Sequence, residues 1–96
     1  NPSKAALYRQ SANYTLASGN HLEKGMEWIN KAISLKEEFR SYWVKTQILA
    51  KQNNFTEAII AAGKTQELGK NDKDYDDYRA NVEKALKDYK EKSEKK

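Results

Sequence analysis

Two stretches of the chain carry nearly the same pattern at an offset of thirty-three residues: GNHLEKGMEWINKAISLKEEF, from Gly19 to Phe39, and QNNFTEAIIAAGKTQEL, from Gln52 to Leu68. Each runs from a polar turn to a large apolar residue (Leu22, Phe55), then a small one three positions on (Gly25, Ala58), then a leucine thirteen beyond the first (Leu35, Leu68). A period of this length is one helix, a turn and a second helix. Such a pair cannot bury its apolar faces alone, so units of this kind stack side by side and share a core. With 96 residues there is room for a single domain with one modest core.

Apolar residues recur throughout at helical spacing, and turn signals divide the pattern into five pieces. The first helix is expected from about Ser3 to Ser18, with Pro2 before it, Ser3 as a possible cap and Gly19 as its stop. The second, about His21 to Lys36, carries two adjacent stripes, Leu22, Met26, Ile29 and Ile33 beside Gly25, Trp28, Ala32 and Leu35. Two stripes predict two packing neighbours. The third, about Glu38 to Gln52, stops at Asn53 and Asn54, a residue pair suited to a turn. The fourth, about Thr56 to Leu68, is small on its inner side (Ala58, Ala61, Ala62, Gly63). A glycine inside a helix costs ~1 kcal/mol against alanine, so Gly63 is expected where another backbone comes close.

After Gly69 a fifth helix places Tyr75, Tyr78, Val82, Ala85, Leu86 and Tyr89 on one side, with charged residues on the other. That division suits the exposed end of a stack. The fold class predicted is therefore all-α: two antiparallel helix-hairpin repeats, about 3–36 and 38–69, and a capping helix, about 73–92. Together these form one domain over 1–92, and the charged tail 93–96 is expected to fray. Trp28 and Phe55 are expected to be walled in between the layers.

Composition narrows the chemistry. The longest apolar run, WVKTQILA, is broken by Lys45 and Gln47 and falls far short of the ~20 residues that span a bilayer; no membrane insertion is expected. Without cysteine, thiolate catalysis and cysteine-ligated zinc are excluded. The net charge of +4 arises in residues 1–70, with ten Lys and Arg against six Asp and Glu; residues 71–96 hold eight of each. So small and mixed a surplus is ordinary for a solvated surface, and nucleic acid is not the expected partner. The chain begins at Asn1 with neither an initiator methionine nor a charged-then-apolar leader. This reads as a segment of a longer parent whose targeting information lies upstream.

No reaction centre is visible. His21 is the only histidine and lies in a turn, so neither a histidine metal pair nor a Ser-His-Asp arrangement can be assembled. NDKDYDD, from Asn71 to Asp77, lacks the glycine and the distal glutamate of a calcium loop; its acids suit a helix N-terminus. Asn13 and Asn54 open NYT and NFT, acceptor patterns for glycosylation in a eukaryotic secretory route only. Tyr75, Tyr78 and Tyr89 among Lys and Arg could stack on single-stranded nucleic acid, but their common stripe points to helix-on-helix burial. Neither catalysis nor a cofactor is expected.

Leu16, Asn20, Leu22, Gly25, Ile29 and Ala32 in the first unit, with Leu49, Asn53, Phe55, Ala58, Ala62 and Thr65 in the second, follow a pattern that resembles the tetratricopeptide repeat over residues 5–69. Gly25 and Thr65 stand where that family has alanine, Lys45 where leucine is usual, and the closing proline is missing from both units. The resemblance implies a short right-handed α-solenoid whose ligand lies in the groove lined by the first helix of each unit. Carried over, it points to Gln10 and Tyr14 on the first helix and to Arg40, Trp43, Gln47 and Lys51 on the third. The last four fall on one helix face, with Trp43 for apolar contact and Arg40 or Lys51 for a carboxylate. The competing reading gives Trp43 to the core. The lysine and asparagine clamp of chaperone-binding members is not reproduced at Gln10, Tyr14 or Trp43.

RSYWVKTQILAKQNNFTEAIIAAGKTQELGK, together with MEWINKAISLKEEF, is also similar to the helical C-terminal segment of an uncharacterised family of exported Bacteroidetes proteins that begin with a β-rich domain. That similarity implies an extracytoplasmic parent and an N-terminal domain of the same chain as partner, and it brings no activity with it. The outer surface of the first or fourth helix is expected to meet that domain. The function expected is non-catalytic interaction with a protein or peptide, with a basic helical nucleic-acid-binding domain as the alternative.

Overall fold

A computed structural model describes residues 2–94, which form five α-helices and no strand: α1 (Pro2–Ser18), α2 (Leu22–Leu35), α3 (Phe39–Lys51), α4 (Phe55–Gly69) and α5 (Asp76–Glu94). A 3-10 turn, Lys73–Tyr75, leads into α5. α1 to α4 begin and end within a residue of the expected bounds, for identifiable reasons; α5 begins three residues later than expected, after the 3-10 turn, and runs two residues further.

Pro2 opens α1 as its first residue rather than preceding it, a position where a missing N–H costs nothing. Gly19 ends it in the left-handed region (φ 74°), its N–H returning to the Thr15 carbonyl at 2.9 Å. Asn53 does the same work after α3 at φ 62°, a conformation asparagine tolerates, and the Asn54 N–H reaches back to the Leu49 carbonyl at 2.9 Å. His21, exposed and also left-handed (φ 59°), precedes α2 without a side-chain capping bond. Before α5, the Asp72 carboxylate accepts the Asp74 N–H at 2.9 Å, and Asp76 and Asp77 occupy the first turn, where acids complement the helix dipole. The helix continues through Ser93 and Glu94, the first half of the tail expected to fray; Lys95 and Lys96 lie outside the described residues.

Packing is most extensive between α1 and α2 and between α3 and α4; α3 also touches both α1 and α2, and α5 lies on α4. The molecule measures 41 × 32 × 19 Å, and the short axis is two helix diameters, so the helices form two layers. One core group, Ala12, Ile29, Ala32, Val44 and Ile48, joins the two pairs. A second, Leu49, Ala58 and Ala61, closes α3 on α4; a third, Phe39, Tyr75 and Val82, fixes α5 and its leading turn.

Two expectations need correction. Gly63 does not meet another backbone: it is exposed, and a Cβ there would find nothing within 4 Å. The close approaches are at Gly25, against the Thr15 side chain and Ile48, and at Gly69, across which the Tyr75 ring lies. The small stripe of α4 is used only at Ala58, Ala61 and Ala62; the position after Ala62 has already turned out of the interface. Trp28 and Phe55 are half-buried rather than walled in. Each sits at the rim of a layer, with one ring face on the protein and a lysine near the ring: Lys24 at 5.8 Å from the Trp28 centroid and Lys92 at 5.4 Å from that of Phe55.

Candidate functional site

α3 packs on α4, α2 and α1, and one of its faces borders the space between α1 and α5. Arg40, Trp43, Gln47 and Lys51 follow one another along that face at i, i+3, i+7 and i+11. Arg40, Trp43 and Gln47 share a concavity of about 400 Å³ with Arg9, Gln10 and Asn13 from α1 and Tyr78 from α5. Gln47 also borders a second hollow of about 330 Å³ that contains Lys51, Phe55, Tyr89 and Lys92. The two hollows share Gln47 and follow one another along α3, each with residues of α1 and α5 at its sides; together they are termed the groove.

Five of the six residues singled out from sequence therefore line this groove. Tyr14 does not: it is 74% exposed and borders neither hollow. It lies two residues past the fully buried Ala12, ~200° round the helix, and so points away from the packed side of α1.

The groove is cationic, but its charges are mostly answered by acids of the same chain. Arg9 pairs with Glu38, the residue that leads into α3. Arg40 Nη2 donates to Asp74 Oδ2 at 2.6 Å, and its guanidinium lies 4.7 Å from the centre of the Phe39 ring. The hydrogen bond to Asp74 holds the Arg40 guanidinium above its ordinary pKa, with burial opposing and the Tyr78 hydroxyl adding to the rise. Lys92 meets Asp88 at 3.0 Å along α5. Lys51 has no ion pair among the described residues.

Trp43 serves both of the roles weighed for it. It is half-buried, packing against the Phe39, Tyr75 and Val82 group with one part of the ring and lining the groove with another. The residues missed by sequence reasoning come from α5. Tyr78, Tyr89 and Lys92 lie at its α5 side, whereas from sequence the tyrosine stripe is weighed between helix-on-helix burial, which is preferred, and stacking on single-stranded nucleic acid. A usable signal existed: Tyr78 and Tyr89 are half-exposed tyrosines rather than phenylalanines, and a phenol keeps its oxygen toward water or a partner. Tyr75, in the same stripe, is the one that is fully enclosed, at 2% exposure.

Chemically the groove offers ring faces for an apolar side chain, the carboxamides of Gln10, Asn13 and Gln47 for a peptide main chain, and cations for a carboxylate. Among the described residues there is no group of three or more His, Asp or Glu able to hold a metal ion, and no helix is long and apolar enough to cross a membrane. No protein-family model matches the chain, and comparison with curated proteins and with solved structures returned no match.

Proposed function

We propose that the chain is a non-catalytic interaction module of tetratricopeptide-like build, two helix hairpins in a short right-handed solenoid with α5 as its cap, that binds an extended peptide along α3. The packing order supports the architecture, since each helix lies on the next and α3 also lies on α1. The observation that carries the function is the convergence of Gln10, Arg40, Trp43 and Gln47, from two helices, in one concavity with an aromatic floor. A peptide laid there has an anchor at Trp43 and amides beside its main chain. The outer surfaces of α1 and α4 are where a partner domain of the parent chain packs, a role supported by the exposure of Leu7 and Ile60, each at 62%. An exported parent rests on the family resemblance alone.

Selection of binders from a random peptide library tests the reading. Selected peptides should lose most of their affinity for Trp43→Ala and Gln47→Ala variants that melt as the wild type does. Undiminished binding by both variants refutes it. The nucleic-acid alternative draws on the same cations and on Phe55 and Tyr89, and salt separates the two: phosphate-dominated binding weakens steeply as ionic strength rises, whereas binding anchored on Trp43 changes little.

A further inference from the structure

The Arg40 and Asp74 pair differs from every other ion pair in the groove. Arg9 and Glu38 are enclosed, with side chains 24% and 17% exposed, and their pair links α1 to the start of α3. Lys92 and Asp88 lie on a single helix, one turn apart, and their pair joins no second element. Arg40 and Asp74 come from separate elements and meet at the head of the groove, one turn from Trp43, with Asp74 66% exposed.

Arg40 does not depend on Asp74 for its position. Its guanidinium rests on Phe39, a ring 1% exposed and held edge-on by Tyr75 and Tyr78 at centroid distances of 5.4 and 5.2 Å. Asp74 is likewise fixed through its backbone: its N–H goes to Asp72, and the neighbouring Tyr75 is locked in the core. The Asp74 side chain has no hydrogen-bond partner but Arg40 among the described residues. A planar cation that stays in place on an aromatic ring, with a well-solvated carboxylate as its only anion, is preorganised to exchange that carboxylate for another.

Building on the groove reading above, we infer that Asp74 is a resident stand-in for a ligand carboxylate, and that the groove takes a peptide whose carboxylate displaces Asp74 from Arg40 while the adjoining apolar side chain lies on Trp43. Exchange is cheap because an exposed ion pair contributes little. Arg40 carries the selectivity for the acid, Trp43 the affinity for its neighbour, and Asp74 sets a threshold that neutral or purely apolar segments gain nothing by crossing.

N-acetyl-phenylalanine and its amide differ only in the carboxylate and serve as probes. Binding is read on the intact 96-residue chain from the Trp43 indole and Gln47 carboxamide signals in two-dimensional NMR spectra, for wild type, Asp74→Asn and Arg40→Gln. The acid should bind Asp74→Asn about 1.4–5-fold more tightly than wild type, the range an exposed ion pair allows. The amide should bind both equally, and Arg40→Gln should lose the preference for the acid. Equal affinity of the acid for wild type and Asp74→Asn overturns the inference. So does equal binding of acid and amide to Asp74→Asn, which leaves an apolar groove standing without a carboxylate site. Signals that move with neither probe in any variant refute the groove and the inference together. A single-stranded oligonucleotide that shifts the same signals at lower concentration than the acid assigns the exchange at Arg40 to phosphate and likewise overturns it.

Discussion

Gly63→Ala should stabilise the protein and Gly25→Ala should destabilise it, although both glycines lie inside helices and both substitutions raise helix propensity by ~1 kcal/mol. At Gly63 nothing opposes that gain, because a methyl group there meets no atom within 4 Å. The full ~1 kcal/mol should therefore appear, raising Tm by ~4–8 °C in a domain of this size. At Gly25 the same methyl would run into the Thr15 hydroxyl and sit 3.1 Å from Thr15 Cβ and 3.4 Å from Ile48 Cδ1. Thr15 cannot simply turn aside. It is 3% exposed, and its hydroxyl donates to the Ala12 carbonyl at 2.7 Å. Rotation strands a buried hydroxyl at ~1–3 kcal/mol, and overpacking costs a similar ~1–3 kcal/mol if it stays. Either offsets or exceeds the propensity gain, leaving a net loss of up to ~2 kcal/mol. Urea unfolding followed by far-UV circular dichroism measures both variants. In a Thr15→Ala background the Gly25→Ala penalty should vanish, the non-additivity expected of residues in contact. A lower midpoint for Gly63→Ala would mean that something lies against the outer face of α4, and a benign Gly25→Ala would mean that α1 and α2 do not close on each other at Thr15. Either result refutes the packing described here.

The Tyr75 hydroxyl is buried without a hydrogen-bond partner among the described residues, so Tyr75→Phe should be neutral to stabilising by ~1 kcal/mol in the same unfolding assay; a clear loss would reveal a partner for the phenol. Burial, and next the hydrogen bond to Glu37, push the Tyr42 phenol up from 10.0 to about 12. Because the unfolded chain gives up this proton first, the contribution of Tyr42 is intact below pH 10 and is lost as pH rises from there to about 12. Tyr42→Phe should flatten that part of the stability profile, and a tyrosinate absorbance titration should show one phenol ionising late.

Helix positions were legible because the residues that stop helices act locally. Gly19 and Asn53 end α1 and α3 by adopting positive φ, which depends on the residue's own backbone and needs no knowledge of its neighbours. The role of a glycine within a helix depends instead on what stands opposite. Gly25, Gly63 and Gly69 are alike in sequence, yet Thr15 faces the first, water the second and Tyr75 the third. For the same reason the groove was only partly foreseen. Periodicity along α3 aligned Arg40, Trp43 and Gln47 correctly, but nothing local shows that α5 brings Tyr78 beside them, or that Tyr14 turns away. Trp43 illustrates the limit. Core and recognition were weighed as alternatives, whereas a ring at the edge of a two-layer stack can have one side in each.

The thirty-three-residue echo also allows the chain to be compared with itself. Gly25 with Ala58, Ile29 with Ala62 and Ala32 with Thr65 are equivalent pairs, and all six residues are buried. These positions lie where layers meet, so only small or compact side chains fit, and the echo is strongest there for that reason. On the groove face the echo disappears: Leu7, Gln10 and Tyr14 in the first unit correspond to Arg40, Trp43 and Gln47 in the second. It also fails on the outer face, where Glu27 corresponds to Ile60, and next to it, where the half-buried Trp28 corresponds to the buried Ala61; a hollow of about 460 Å³ lies beside Ile60 and Gly63. Of the two divergent faces, the outer one mixes Lys45 and Lys64 with Glu57 and Glu67 around a shallow depression. The groove brings together Arg40 on the Phe39 ring, an edge of Trp43, and the carboxamides of Gln10, Asn13 and Gln47, which have no hydrogen bond among the described residues. Packing explains where the two units agree, and part of where they differ: α5 and its leading turn pack on the second unit, where Trp43 meets the Phe39, Tyr75 and Val82 group and Arg40 meets Asp74, and the first unit has no such neighbour for Leu7 and Gln10.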